Sequence, residues 1–253
     1  MDANTKAAVA RLAELIRRRQ PCVVLTGAGV STESGIPDFR SPTGLWAEFD
    51  PLEYATIDAF RADPRKVWRF YGPRISMLVD AEPNAAHLAL AELERRGLVR
   101  AVVTQNIDLL HERAGSREVI EVHGSIRTAT CPHCGAEHSL GRVLELLESR
   151  AGEAPRCDSC AAVLKPDVVF FGELLPEQAI DRAYALARTA GLMLVVGSSL
   201  EVFPVAGLPE ETLRARGDVA IVNRGATPLD RRAKVRLDGD AGPILEALLE
   251  EVY

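Results

Sequence analysis

The chain of 253 residues is 47% hydrophobic and carries a net charge of −6, enough apolar material for one large domain or for a large and a small one. That balance excludes a disordered chain and argues against a general electrostatic grip on nucleic acid, so no direct nucleic-acid partner is expected. No apolar run approaches the roughly 18 residues of a membrane span, and the opening MDANTKAAVARLAELIRRR lacks the apolar core of a secretory signal. A cytoplasmic protein with no membrane partner is the expectation, and the oligomeric state stays open.

In chain order, Val9, Leu12, Ala13 and Ile16 recur at helical spacing and predict an amphipathic helix over Thr5 to Arg19. The apolar CVVLT from Cys22 predicts a buried strand that runs straight into GAGVSTESGIPDFR. A strand delivering a glycine-rich turn suits phosphate, because glycine has no Cβ to block the approach of backbone N–H groups. The third glycine of the dinucleotide fingerprint is replaced here by Thr32, so the turn also fits a tight strand-to-helix junction with no ligand. Asn84 predicts a helix N-cap and Gly97 the residue after its end. RAVVTQNID (100–108), LMLVVGSSL (192–200) and DVAIVNRG (218–225) are each apolar before turning polar, as central parallel strands are. Ala179, Ile180, Ala183 and Ala187 mark one helix face, and Ile244, Leu245, Leu248, Leu249 and Val252 a final apolar stripe.

This alternation predicts an α/β fold with a doubly wound, Rossmann-like parallel sheet. Gly27, Gln105 to Asp108, Gly197 to Ser199 and Asn223 to Gly225 would then gather beyond the carboxyl ends of its strands. Two segments break the rhythm. The expected division is a Rossmann-like domain of residues 1–40, 84–127 and 166–253, with a helical module (41–83) and a zinc-ribbon module (128–165) forming a smaller domain.

Cys131-Pro-His-Cys134 and Cys157-Asp-Ser-Cys160 are two C-x-x-C knuckles separated by 22 residues, close to the spacing of zinc ribbons. Four thiolates complete a tetrahedral shell and leave no position for water, so the zinc is read as structural. Exchanging disulfides are the redox alternative, which the pairing of the knuckles and a reducing cytosol disfavour. His133 and His138 lie near enough in sequence to replace a ligand. Cys22, opening an apolar strand, reads as a small buried hydrophobe.

GAGVSTESGIPDFR, TQNIDLLHERAGS, EVHGS, the two cysteine pairs, KPDVVFFGE, GSSLEVFP and VNRGATP occur in one order over nearly the whole chain. In that order and spacing the chain resembles the sirtuins of bacterial type, the NAD-dependent protein lysine deacylases. The resemblance implies that Gly27, Ala28 and Gly29 receive the NAD phosphates, Ala28 also lying near the nicotinamide. It implies a mobile loop over Ser31 to Arg40, in which Ile36, Asp38, Phe39 and Arg40 line the nicotinamide end, Phe39 shielding the reactive carbon and Arg40 facing phosphate. Gln105, Asn106, Ile107 and Asp108 would hold the ribose, a water and the carboxamide. Gly197, Ser198, Ser199, Asn223, Arg224 and Gly225 would hold the adenosine half, with Ala241 beside the adenine.

His123, in the EVHG context, is the implied general base, since an imidazole titrates near neutral pH; Asn106 joins it as catalytic. The acyl-lysine oxygen would attack the anomeric carbon as nicotinamide leaves, His123 would help a ribose hydroxyl attack in turn, and water would finish the transfer. The products are free lysine, nicotinamide and O-acyl-ADP-ribose, so NAD is consumed as co-substrate. Val168, Val169, Phe170, Phe171, Gly172 and Glu173 would hold the acylated lysine of a protein or peptide as an added strand. Tyr71 and Arg74 match the Tyr-x-x-Arg of a subgroup that removes acidic acyl groups, where a guanidinium can pair with a carboxylate. Gly72 and Pro73 between them would weaken or kink a helix, and the remaining motifs look more like the general deacetylase branch. Deacetylation is therefore expected, with desuccinylation or demalonylation beside it. A mono-ADP-ribosyltransferase on the same NAD site, a nucleic-acid-binding module and a dehydrogenase are the rival readings, the last disfavoured by the missing glycine fingerprint.

Overall fold

The structure, a computed structural model, describes residues 1–149 and 152–252. Helix α1 (Ala3–Arg18) starts where the Asp2 carboxylate accepts the Thr5 N–H at 2.7 Å, and it buries the predicted stripe Val9, Leu12, Ala13 and Ile16. Strand β1 (Cys22–Thr26) is buried throughout and passes into a 3-10 segment, Ala28–Ser34, closed by Gly35 in the left-handed conformation. Four helices follow: α2 (Leu45–Glu48), α3 (Pro51–Tyr54), α4 (Ile57–Ala62) and α5 (Pro64–Asp80). Helix α6 (Ala85–Arg95) is capped by Asn84 as predicted, in a capping box whose second member is His87. Then come β2 (Ala101–Thr104), α7 (Leu110–Arg113), β3 (Val119–Glu121), β4 (Gly124–Thr130), β5 (Glu137–Ser139), α8 (Leu140–Ser149) and β6 (Lys165–Val168). The chain ends with α9 (Glu177–Thr189), β7 (Leu192–Val196), α10 (Leu208–Arg214), β8 (Asp218–Val222), β9 (Val235–Leu237) and α11 (Ala241–Glu251).

Six strands pair in parallel in the order β3-β2-β1-β7-β8-β9. The period-2 alternation of side chains explains why the central strands read as unbroken apolar runs. Cys22, Val24, Leu192, Leu194 and Val196 pack on one face with the buried sides of α1, α6 and α11, while Val23, Leu25, Met193 and Val195 pack on the other with Ala183 and Ala187 of α9 and Leu208. The chain order reverses between β1 and β7, and in sheets of this kind the ligand crevice lies beyond the carboxyl ends of the strands at that reversal.

A second, antiparallel sheet has the order β5-β4-β6. Its strands β4 and β6 overlap the expected domain boundaries at 127/128 and 165/166. It shares a third apolar cluster with α4, α5 and α8, centred on Trp68, Phe170 and Leu164, and the Trp68 Nε1–H donates to the Leu164 carbonyl at 2.7 Å.

Helix α5 continues through Gly72 and Pro73, where a weakened or kinked helix was expected. Gly72 leaves room for Leu147 of α8, which would lie 3.3 Å from any Cβ there. Pro73 lacks the N–H that would bond one turn back, and two side chains bond main-chain carbonyls nearby: Arg74 Nη1–H donates to the Phe70 carbonyl at 2.6 Å and Ser76 Oγ–H to that of Gly72 at 3.4 Å.

Candidate active site

Three glycines interlock at the crevice. The Gly27 N–H donates to the Val196 carbonyl at 3.2 Å and the Gly29 N–H to that of Gly197 at 2.9 Å. Gly197 has φ +60°, and a Cβ on it would sit 2.2 Å from the Val30 nitrogen. These glycines are therefore demanded by the close approach of two backbones, whatever ligand is bound. The expected array of amides for phosphate narrows accordingly, since the N–H groups of Gly27 and Gly29 already donate within the fold.

Beyond β2, polar side chains converge. The Gln105 amide donates to Ser198 Oγ at 3.1 Å and to the Thr26 carbonyl at 3.3 Å, joining the β1, β2 and β7 ends. Asn106 Nδ2–H donates to Ser31 Oγ at 2.9 Å and to Asp108 Oδ2 at 3.1 Å, and the Ser31 hydroxyl donates to the same carboxylate oxygen at 2.7 Å. The other Asp108 oxygen accepts the Leu110 N–H at 3.0 Å. Asp108 is 5% exposed, so its charge rests on these three donors. His87 Nε2 lies 3.4 Å from Ser31 Oγ, and His111 Nε2 lies 2.9 Å from the Thr26 hydroxyl. Burial lowers both imidazoles, His87 to about 4 and His111 well below its ordinary value.

His123 stands on the other side of Gln105. Its Nδ1 lies 3.1 Å from the Gln105 carbonyl. A carbonyl can only accept, so Nδ1 carries the proton and Nε2 presents its lone pair. Burial lowers the His123 pKa against the opposing effect of that hydrogen bond, which keeps the ring neutral near pH 7. The His123 carbonyl in turn accepts the Val169 N–H at 2.8 Å, tying the base to the segment after β6.

The segment Ile36 to Arg40 lies at the rim. Ile36 and Ile107 pack against the third apolar cluster. The Asp38 carboxylate accepts the Ser41 N–H at 3.0 Å, and Phe39 meets the Trp46 ring at 5.1 Å. Arg40, expected to face phosphate, pairs with Glu201 at 3.3 Å, and Glu201 also accepts the Ser199 hydroxyl at 3.1 Å. At the β8 end, Asn223 Nδ2–H donates to the carbonyls of Arg224 and Gly225, and Arg224 pairs with Asp240 just before Ala241.

Tyr71 and Phe170 face each other at 5.2 Å between ring centres. The Arg74 guanidinium lies 3.7 Å over the Phe70 ring and 4.6 Å from that of Phe49. Burial raises the Tyr71 phenol and lowers the Arg74 guanidinium. No carboxylate lies within ion-pair distance of Arg74 among the described residues, although that of Glu48 is near enough to favour its charge, and its buried Nε has no hydrogen-bond partner. The segment 168–173 was expected to offer its main chain to a substrate strand, but much of it is already used: Phe171 exchanges bonds with Ala55 and Ile57, and Phe170 with Glu173.

Away from the crevice, Cys131, Cys134, Cys157 and Cys160 bring their sulfurs within 4.8 Å of one another, with 3.4 Å between Cys131 and Cys160 and 3.6 Å between Cys134 and Cys157. Four Zn–S bonds of about 2.3 Å at tetrahedral angles need sulfurs about 3.8 Å apart, which these residues satisfy. The backbone N–H groups of Cys134 and His133 help to hold the Cys131 thiol down to about 6. The Ala162 N–H also favours ionised Cys160, yet burial and the neighbouring sulfurs push that thiol up to about 12, a conflict that a divalent cation resolves. His138 Nε2 accepts the Asp158 N–H at 3.1 Å, which gives it a role outside the sulfur cluster.

The Sir2 family profile matches residues 27–204, from the first glycine of the crevice to the end of GSSLEVFP. The chain is a sirtuin. It is 45% identical over 246 residues to the NAD-dependent protein deacylase of Thermococcus kodakarensis, a match covering 95% of this chain and 94% of that protein. To the NAD-dependent protein deacetylase of Thermotoga maritima it is 43% identical over 238 residues, covering 94% and 96%. It is similar in structure to a complex of Sir2 with p53 peptide and NAD+, with a TM-score of 0.87 at 42% identity over 95% of this chain and 97% of that one. A complex of Sir2 with deacetylated p53 peptide and 3'-O-acetyl ADP ribose gives 0.91, also at 42% identity and with the same coverage.

Sequence reading passed over several residues that this sirtuin brings to its crevice, and named Ser31 only as the start of a loop. Ser31 is buried at the centre of the Asn106–Asp108 network, Thr26 and Thr104 share a hydrogen bond at 2.8 Å, and Glu201 holds Arg40. A hydroxyl or carboxylate in a turn carries no sequence signal for a partner some 70 residues or more away. No helix among the described residues is long and apolar enough to cross a membrane.

Proposed function

We propose that this sirtuin removes acyl groups from lysine side chains of proteins or peptides, consuming NAD and yielding free lysine, nicotinamide and O-acyl-ADP-ribose. The reading rests on His123, a neutral imidazole whose Nδ1–H is committed to the Gln105 carbonyl, which frees Nε2 to act as a base. Bound NAD supplies an anomeric carbon that parts with nicotinamide and takes the acyl oxygen. His123 Nε2 accepts the proton of a ribose hydroxyl. Asn106, oriented by Ser31 and Asp108, holds the ribose and a water, and Asp108 with Ile36 and Phe39 receives the nicotinamide. The crevice around Gly27, Ala28, Gly29, Gln105, Gly197 and Ser198 takes the phosphates and ribose, and the ends of β7 and β8 with Ala241 the adenosine. The relatives' names as NAD-dependent protein deacylases and deacetylase support this reaction class.

Residues 1–40, 84–127 and 166–253 form the NAD-binding part, and 41–83 with 128–165 the smaller part, where one zinc on the four cysteines acts structurally. Reduced thiolates suit the cytoplasm. Acetyl groups are removed, and Tyr71 and Arg74 extend the reaction to succinyl or malonyl groups. What supports that extension is the guanidinium of Arg74, whose buried Nε has no hydrogen-bond partner and which no carboxylate approaches to ion-pair distance among the described residues. Mass spectrometry of matched acetyl-lysine and succinyl-lysine peptides with NAD tests both levels. Free-lysine peptide with O-acyl-ADP-ribose, absent in His123→Ala, is expected, and Arg74→Met should abolish succinyl removal while sparing acetyl removal. NAD consumption without loss of either acyl group would instead mark a mono-ADP-ribosyltransferase.

A further inference from the structure

Of the 30 basic Lys and Arg residues only four are lysines, so a lysine is the exception in this chain. Lys165 is one of them, and its side chain is only 17% exposed. Its ammonium meets three oxygens: Glu173 Oε2 at 3.0 Å, the Val168 carbonyl at 3.0 Å and the Pro166 carbonyl at 3.1 Å. It also lies 4.5 Å over the ring of Phe170. Three acceptors match the three donors of an ammonium, an arrangement that a planar guanidinium fork does not reproduce.

Glu173 completes the construction. Its Oε2 accepts the Phe170 N–H at 2.8 Å as well as the ammonium, while its own N–H donates to the Phe170 carbonyl at 3.0 Å. One ion pair thus holds Val168 by its carbonyl and Phe170 by its N–H and ring face. Phe170 is 1% exposed and forms the wall opposite Tyr71. With Val169 N–H on His123 and Phe171 on Ala55 and Ile57, the bonds found among the described residues leave the Val169 carbonyl and the Gly172 N–H and carbonyl for an incoming peptide.

We infer that Lys165 and Glu173 are positioning residues for the acyl-peptide: they preshape the 168–173 loop so that its remaining main-chain groups meet the substrate without first being ordered. This rests on the deacylase reading above. A partly buried ion pair is costly to desolvate, and a preordered loop reduces what the peptide must supply on binding.

The test measures kcat and both KM values for Lys165→Met, Lys165→Arg and Glu173→Gln, together with hydrogen exchange of residues 168–173. Lys165→Met should raise the peptide KM about tenfold, roughly the ordering of one or two side chains, with kcat and the NAD KM changed less than about threefold. Lys165→Arg and Glu173→Gln should raise the peptide KM several-fold, and exchange at the Phe170 amide should quicken in all three. Parallel loss of NAD affinity and kcat, or wild-type behaviour of Lys165→Arg, overturns the inference. If Lys165→Met does not fold, the other two variants decide. If the wild-type protein deacylates no peptide, the deacylase reading fails on its own, and unchanged Phe170 exchange in the variants would separately overturn the clamp.

Discussion

Asp108→Asn changes one atom in the buried network and leaves its shape intact. The Asn carbonyl can still accept the Leu110 N–H, at 3.0 Å in the parent. Its amide nitrogen then takes the place of Oδ2, 2.7 Å from Ser31 Oγ and 3.1 Å from Asn106 Nδ2. The Ser31 hydroxyl can rotate to accept, but two amide donors now face each other. Flipping the new amide only moves the conflict to the Leu110 N–H. One buried donor is left unpaired, a cost of about 1–3 kcal/mol. If Asn106 turns away to relieve it, the ribose loses its anchor, and kcat/KM for NAD should fall roughly tenfold to a hundredfold, at about 1.4 kcal/mol per factor of ten. The assay is the initial rate of nicotinamide release across an NAD series, with urea unfolding measured in parallel. Stability should fall by about 1–3 kcal/mol as well. Ser31→Ala and the double variant close a cycle, in which a coupling of about 0.5–3 kcal/mol is expected for residues sharing one hydrogen bond. Activity within about threefold of the parent, together with additive energies, would refute the reasoning.

Three further outcomes follow from the same groups. Because burial lowers the His123 pKa, the base stays unprotonated at neutral pH and kcat/KM should decline only as pH falls below the ordinary histidine value of about 6.5; an acid limb centred above that value would contradict the assignment. His87, lowered to about 4, and His111, lowered further, bind fewer protons folded than unfolded. Stability is therefore fully present above about pH 6.5 and is lost as pH falls towards 4, on the order of 3 kcal/mol for His87 alone; equal urea midpoints at pH 7.5 and pH 5 would be the opposing result. Elemental analysis should find one zinc per chain, and Cys157→Ser should lose both the metal and the cooperative unfolding of the module around Trp68; a metal-free parent with the same melting temperature would sink the structural-zinc reading.

Much of this protein was legible in its residues because the signals are local. Apolar runs that turn polar marked β1, β2, β7 and β8, the stripe from Val9 to Ile16 marked α1, and Asn84 and Gly97 marked the start and end of α6. Two C-x-x-C pairs sufficed to nominate the four cysteines. The short strand β9 escaped, since three residues carry too little pattern to separate a strand from a turn. Gly72 and Pro73 suggested a disturbed helix, and only the tertiary structure shows the helix continuing through them, with Leu147 packed where a side chain at position 72 would stand.

By itself the sequence determined the strand and helix pattern, the metal-ligand set and the residue types available for the chemistry. The tertiary structure alone decided which of them meet. Ser31 reaches Asp108 across 77 positions, Arg40 finds Glu201, and the His123 tautomer follows from a carbonyl 18 residues earlier. Hydrogen bonds and ion pairs are set by distances of about 3 Å, and distances between remote segments exist only after the sheet has brought its strand ends together.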